Sequence, residues 1–136
     1  MSSSRDARRC ALQELYQRDA GNMDEWLSGS LGDEGEERAS EHARQDGSRL
    51  ASAAWDARHD ADLEIGRFTP EWPIHRQPAV DRNVLRLAWW EMTRGGVPAP
   101  IAINEAVELA REYGAEKSPA FVNAVLDRVR REREDG

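Results

Sequence analysis

Residues 98–129, PAPIAINEAVELAREYGAEKSPAFVNAVLDRV, constrain the fold more tightly than any other part of this chain. Ile103, Ala106, Val107 and Ala110 recur at helical spacing and make one apolar stripe. Phe121, Val122, Val125, Leu126 and Val129 make a second. Between them Gly114 stands where a left-handed C-terminal cap is expected, because a residue without Cβ turns there at least cost. Ser118-Pro119 then reads as a helix start, with the serine oxygen accepting from first-turn amides and proline giving up no needed donor. Two amphipathic helices joined this closely must pack on each other or on a shared third. The stretch therefore describes a helical core.

The rest of the chain supplies the remaining helices. Ala7, Ala11, Leu12 and Leu15 predict a helix over residues 4–20, with Ser3 or Ser4 as its cap and Gly21-Asn22 as its end. Residues 23–34 suggest a short helix around Trp26 and Leu27, broken by Gly29 and Gly32. Residues 35–65 read as one long, weakly apolar helix with Leu50, Ala54, Arg58, Ala61 and Ile65 on a face. Three prolines in residues 68–78 exclude a regular helix and predict an extended connector that lays Trp72 and Ile74 across the body. Val80, Val84, Leu87 and Ala88, widened by Leu85, Trp89 and Met92, predict a central helix over residues 79–94 that is stopped by Gly95-Gly96. The expected fold is all-α: a compact bundle of about six to seven helices in two three-helix halves. One domain spans residues 1–136, with an N-terminal half at about 1–67, a connector at 68–78 and a C-terminal half at 79–136.

Charge narrows the function. The net charge is −7, but residues 24–64 hold 12 acidic and 4 basic side chains, so the remainder is nearly balanced. Of 19 basic residues, all but Lys117 are arginine, which pairs with phosphate and stacks on bases better than an ammonium does. A local basic patch on an acidic body is thus compatible with a nucleic-acid partner. The single cysteine, Cys10, excludes an internal disulfide and reads as a small core filler. No apolar run approaches the roughly 20 residues of a membrane span, and MSSSRDARR has no secretory apolar region, so a cytoplasmic location is expected.

At 100° per residue, Arg5, Arg9 and Tyr16 fall on one stripe of the first helix, with Leu12 between them. Two guanidiniums and a ring along one edge can grip a single-stranded backbone and stack a base. On the residues alone, a solvated arginine edge with Tyr16 covering the core is the better fit. His42, His59 and His75 are too scattered for a metal site, and the acidic run of residues 33–37 reads as a solvated segment. Neither a metal nor a cofactor is expected. Asn104 and Asn123 read as hydrogen-bonding groups at helix ends or between helices. Trp90 suits a partner surface, or lies over an arginine stem.

The words AINEAVELA and YGAEKSPAFVNAVLD, preceded by VDRNVLRLAWWEM and GVPAPIAINEA and, at the start of the chain, by ARRCALQELYQ, resemble the NusB family of bacterial transcription antitermination factors. The resemblance covers about residues 5–20 and 78–130 and fades between them. It implies a non-enzymatic, RNA-binding factor whose first helix holds boxA-type single-stranded RNA. It further implies a small-subunit ribosomal protein acting as NusE as the protein partner, and action on the RNA polymerase elongation complex within ribosomal RNA operons. The first-helix positions implied for RNA are Arg5, Arg8, Arg9 and Tyr16, and Asp81 is implied for the protein partner; Lys117 is read here as a cation that compensates for the short arginine run, and Trp90 joins Asp81 as a partner candidate on its residue type alone. Family members often carry a longer arginine run and an acidic residue where Lys117 stands. Some pair as homodimers that hide the RNA face, an assembly open to this chain as well.

Two other function classes bear on the reading. NusB-like domains also accompany RNA methyltransferases, but no glycine-rich turn for a nucleotide cofactor occurs here. A helical interaction adaptor that has kept the fold and lost RNA is the main rival, given the short arginine run.

Overall fold

The computed structural model describes residues 4–21 and 40–135. The expected helix around Trp26 and Leu27, the acidic run of residues 33–37 and a capping role for Ser3 lie outside these residues. Six α-helices and one 3-10 turn are present among the described residues, with no strand: α1 (Arg5–Ala20), α2 (Glu41–Asp56), α3 (Arg58–Arg67), the turn (Ile74–Arg76), α4 (Ala79–Thr93), α5 (Ala99–Tyr113) and α6 (Ser118–Asp135).

Helix α1 starts where Ser4 Oγ accepts from the Ala7 amide, and ends where Gly21 adopts a left-handed φ of 70° and donates to Gln17 O. Its stripe Ala7, Ala11, Leu12 and Leu15 is fully buried, mostly against α2. The two helices cross closely at Gly47. A Cβ there would stand 2.6 Å from both Ala7 O and Cys10 Cβ, so only glycine allows this approach.

The single long helix expected over residues 35–65 is instead two. The break falls at Ala57, and α3 begins at the next residue. Arg58 sustains it: its guanidinium donates to Trp55 O at 2.9 Å and lies 3.9 Å from the Trp55 ring centroid, satisfying a carbonyl that a continuous helix would have bonded. Leu50, Ala54, Ala61 and Ile65 are nonetheless buried, as their spacing requires.

Helix α4 is the axis of the molecule and packs against α1, α2, α3, α5 and α6. Val84, Leu85, Leu87, Ala88 and Trp89 are buried along it, and so are Asp81, Asn83, Arg86 and Glu91. Buried charge needs partners, and each of these finds one. One hydrophobic cluster runs through side chains of all six helices.

The corner between α5 and α6 forms, by other means than expected. Gly114 is extended (φ −95°, ψ −171°) rather than left-handed. Glycine is needed there for room, since a Cβ would lie 2.7 Å from Ala110 O and from Ser118 Oγ. Ser118 faces backward: its Oγ accepts from the Ala115 amide at 2.9 Å and donates to Asp81 Oδ1 at 2.8 Å. The corner is thereby tied to the first turn of α4. No helix among the described residues is long and apolar enough to cross a membrane.

Candidate nucleic-acid interface

Arg5, Arg8 and Arg9 of α1 lie against α5 and α4, and each meets a carboxylate. Arg5 donates to both oxygens of Glu105, Nε at 3.2 Å and Nη2 at 2.9 Å, with its side chain 49% exposed. Hydrogen bonding to Glu105 raises the Arg5 pKa, and the same contact holds Glu105 below the usual carboxylate range. Arg9 donates to Asp6 at 2.7 Å and to Glu112 at 3.0 Å. Burial works against its charge, but the bonds to Glu112 and Asp6 prevail and its pKa is raised. Glu105, Glu108 and Glu112 follow helical spacing along α5 and form the acidic wall opposite α1.

Arg8 lies inside, which corrects the expectation of a surface contact there. It is 3% exposed and forks onto both oxygens of Glu91, itself 2% exposed, at 3.0 and 2.9 Å. Arg8 shares its helical stripe with Leu12 and Leu15, so its direction follows theirs into the core. Tyr16 is half-buried near the far end of α1. Cys10 is half-buried, and burial pushes its thiol pKa up, as suits packing rather than nucleophilic chemistry.

Arg9 reaches Glu112 one residue before Tyr113, and so brings α1 to the head of the corner that carries Lys117. Burial, then Glu112, push the Tyr113 hydroxyl pKa well up, so it stays a hydrogen-bond donor. Lys117 is exposed, and its ammonium forms no ion pair among the described residues. Arg9 is thus held toward the corner end of α5 and Arg5 nearer the middle of that helix, while Arg8 anchors α1 beneath them.

The two positions expected at a partner surface differ in fate. Asp81 is 2% exposed and occupied with Ser118, which removes it from direct contact with a partner. Burial raises its pKa against the opposing effect of the serine hydroxyl. Trp90 is half-buried beside an open groove of about 380 Å³ that is also lined by Arg49, Leu50, Ala53, Gly95 and Val97. Asn104 and Asn123 are exposed and make no side-chain hydrogen bond among the described residues, contrary to expectation; both line an open groove between α5 and α6. His42, His59 and His75 are all exposed, and no group of residues suited to a metal ion occurs among the described residues.

The residues that sequence reasoning missed are the carboxylates. Glu105 and Glu112 were visible as an acidic row in NEAVELAREY, but nothing in one sequence says that this row faces α1. At the opposite end, Asp19 accepts from Arg82 at 2.5 Å and Asn83 at 2.9 Å, and Arg86 forks onto Asp62 at 2.8 and 2.7 Å. Burial opposes the Asp19 charge, but these donors hold its pKa below the usual range.

These features define a class: an all-α bundle with a buried arginine–glutamate pair inside and arginine–carboxylate pairs along the open faces of its helices. The chain belongs to the NusB family, whose model matches residues 5–131. The transcription antitermination protein NusB of Trichlorobacter lovleyi is 38% identical over 136 residues, covering 95% of this chain and 91% of that protein. The protein of the same name from Solibacter usitatus is 59% identical over 73 residues, which span 54% of this chain and 50% of that protein. A solved structure of the antitermination factors NusB and NusE in complex with dsRNA superposes with a TM-score of 0.72 at 27% identity, covering 92% of this chain and 93% of that one.

Proposed function

We propose that this chain is an RNA-binding transcription antitermination factor. It holds boxA-type RNA together with a small-subunit ribosomal protein acting as NusE, and the assembly modifies RNA polymerase elongation on ribosomal RNA operons. The observation that carries the reading is the partly exposed arginine edge of α1, Arg5 against Glu105 and Arg9 against Glu112, on a chain that matches the NusB family over nearly its whole length. The relatives' name, and the NusB–NusE–RNA structure that the fold superposes on, support it. A single strand suits this edge better than a duplex, because a ring such as Tyr16 can stack only on an unpaired base. The chain acts by binding, without catalysis, and works in the cytoplasm. Its protein partner meets the groove beside Trp90, while Asp81 acts only by tying the α5–α6 corner to α4.

The rival adaptor reading draws on one fact: Arg5 and Arg9 are already paired. Those pairs are partly exposed, and exposed ion pairs exchange partners at little cost. The test is binding of a boxA-type oligonucleotide, as single strand and as duplex, with and without the ribosomal protein. Tight single-strand binding that is weakened by Arg9→Ala and by Tyr16→Ala, at unchanged helicity, is the expected result. Absence of binding with or without the partner would leave the adaptor.

A further inference from the structure

The apolar stripe of α6 ends before the helix does. Val129 is fully buried, and the residues that follow it, RREREDG, include no apolar side chain. The helix nonetheless continues to Asp135. Pairs of Arg130 and Arg131 with Asp127, and of Arg130 with Glu134, support these last turns as helix but do not place them on a neighbour. Among the described residues beyond Val129, only Glu132 and Arg133 form ion pairs with another helix, and both reach α3. Glu132 accepts from Arg67, and Arg133 forks onto both oxygens of Glu64, Nε at 3.0 Å and Nη2 at 3.1 Å.

Glu64 is the pivot of this seam. Its Oε1 also accepts from the Trp89 indole N–H at 2.8 Å, so one carboxylate joins α3, α4 and α6. The guanidiniums of Arg94 and Arg133 lie over the Trp89 ring, 5.0 and 5.8 Å from its centroid. Arg67 and Arg128 lie over Phe68 in the same way, at 5.6 and 5.7 Å. Arg94 in turn pairs with exposed Asp60. Unlike the Arg8–Glu91 pair, which is shut away from water, the pairs that bridge α3 and α6 are wet: the Arg133 side chain is 45% exposed and that of Arg67 58%. Salt screens exposed pairs strongly and buried ones far less.

We propose that residues 130–135 are an electrostatic strap across the seam between α3 and α6. Docked, the strap closes over Trp89 and ties the end of α6 to α3. As ionic strength rises it lets go of α3, while Val129 and the core beneath it stay packed. Release opens Glu64 and Arg67 to water and leaves the Trp89 indole bonded to Glu64. A six-residue stretch of helix without an apolar side chain has little stability of its own to oppose this. The opening is local, because nothing in the core depends on the charges that hold the strap.

The experiment follows backbone amide hydrogen exchange in the full chain as salt is raised from about 0.01 M to about 1 M, over which the Debye length falls from ~30 to ~3 Å. A peptide of residues 130–136 corrects for the effect of salt on exchange itself. Loss of two exposed pairs should speed exchange in residues 130–135 roughly two- to thirty-fold and leave the amides of α4 unchanged. Glu64→Gln/Arg67→Gln, which keeps an acceptor for the Trp89 indole, should be as fast at low salt as wild type at high salt and respond no further. Arg133→Gln, at an exposed position that folding tolerates, should go part of the way at an unchanged thermal midpoint. Wild-type exchange that ignores salt overturns the proposal. So does a salt response that survives the double substitution, because pairs within α6 then hold the segment. Acceleration throughout the bundle would overturn it as well, since the seam would then open only with the whole fold.

Discussion

Removing the two carboxylates that hold Arg9 is expected to strengthen RNA binding, by an amount the geometry bounds. Arg9 sits 2.7 Å from Asp6 and 3.0 Å from Glu112. Unit charges about 4 Å apart attract by ~1 kcal/mol in water and ~4 kcal/mol at an effective dielectric of about 20. The Arg9 side chain is 33% exposed and its partners 50% and 39%, so solvent screens both contacts heavily. Each is then worth about 0.2–1 kcal/mol. A phosphate that takes over Arg9 must displace both, at a combined cost of about 0.4–2 kcal/mol. Asp6→Asn/Glu112→Gln removes that cost, and Kd for a boxA-type strand should fall roughly two- to thirty-fold. Fluorescence anisotropy with labelled RNA at fixed salt reads this directly. Asp56→Asn, exposed at the end of α2, supplies the effect of losing one negative charge without touching Arg9. If the double variant gains no more than twice the Asp56→Asn effect, Arg9 is not a phosphate ligand and the reasoning fails.

Other consequences concern the scaffold. Arg8→Ala strands Glu91 in the core and should cost about 3–5 kcal/mol in urea denaturation, while Arg8→Met/Glu91→Leu, which removes both charges, should recover most of the loss. Asp81 has a raised folded pKa, so its contribution to stability is present below its unfolded pKa and is lost as pH rises through the folded value. Asp81→Asn should therefore gain stability over wild type as pH rises above about 4, and parallel wild-type and variant curves would refute this. Gly47→Ala places a methyl 2.6 Å from backbone and side-chain atoms of α1 and should lower stability by about 1–3 kcal/mol, read as an earlier thermal midpoint.

Much of this fold can be read without coordinates. The apolar stripes of α1, α4, α5 and α6 have helical periods that tertiary packing obeyed. The break at Ala57 was hidden, because no glycine or proline marks it and the Arg58 contact that sustains it is a side-chain event. At Gly114 the sequence marks the turn but not its cause: the expected left-handed cap is an extended residue, and lack of space and positive φ leave the same mark in a sequence. Arg8 and Asp81 were treated as surface charges although each lies on a buried stripe, with Leu12 and Leu15 in one case and with Val84, Leu85 and Ala88 in the other. A charged residue in phase with a core face is the signal of an internal pair. Which carboxylates would meet Arg5 and Arg9 could not be read at all. Those contacts join positions about a hundred residues apart, and a single sequence carries no record of such pairings.

The central claim is that partly exposed, carboxylate-held arginines on α1 still exchange onto RNA phosphates. Its most direct test is the affinity of the full chain for a boxA-type single strand across a salt series, beside Arg5→Ala/Arg9→Ala. The account predicts measurable wild-type binding, with a salt slope that the double substitution lowers by about 1.4, two single-strand phosphate contacts, at unchanged helicity. Equal slopes and affinities in the two proteins, or no binding by wild type at low salt, would contradict it.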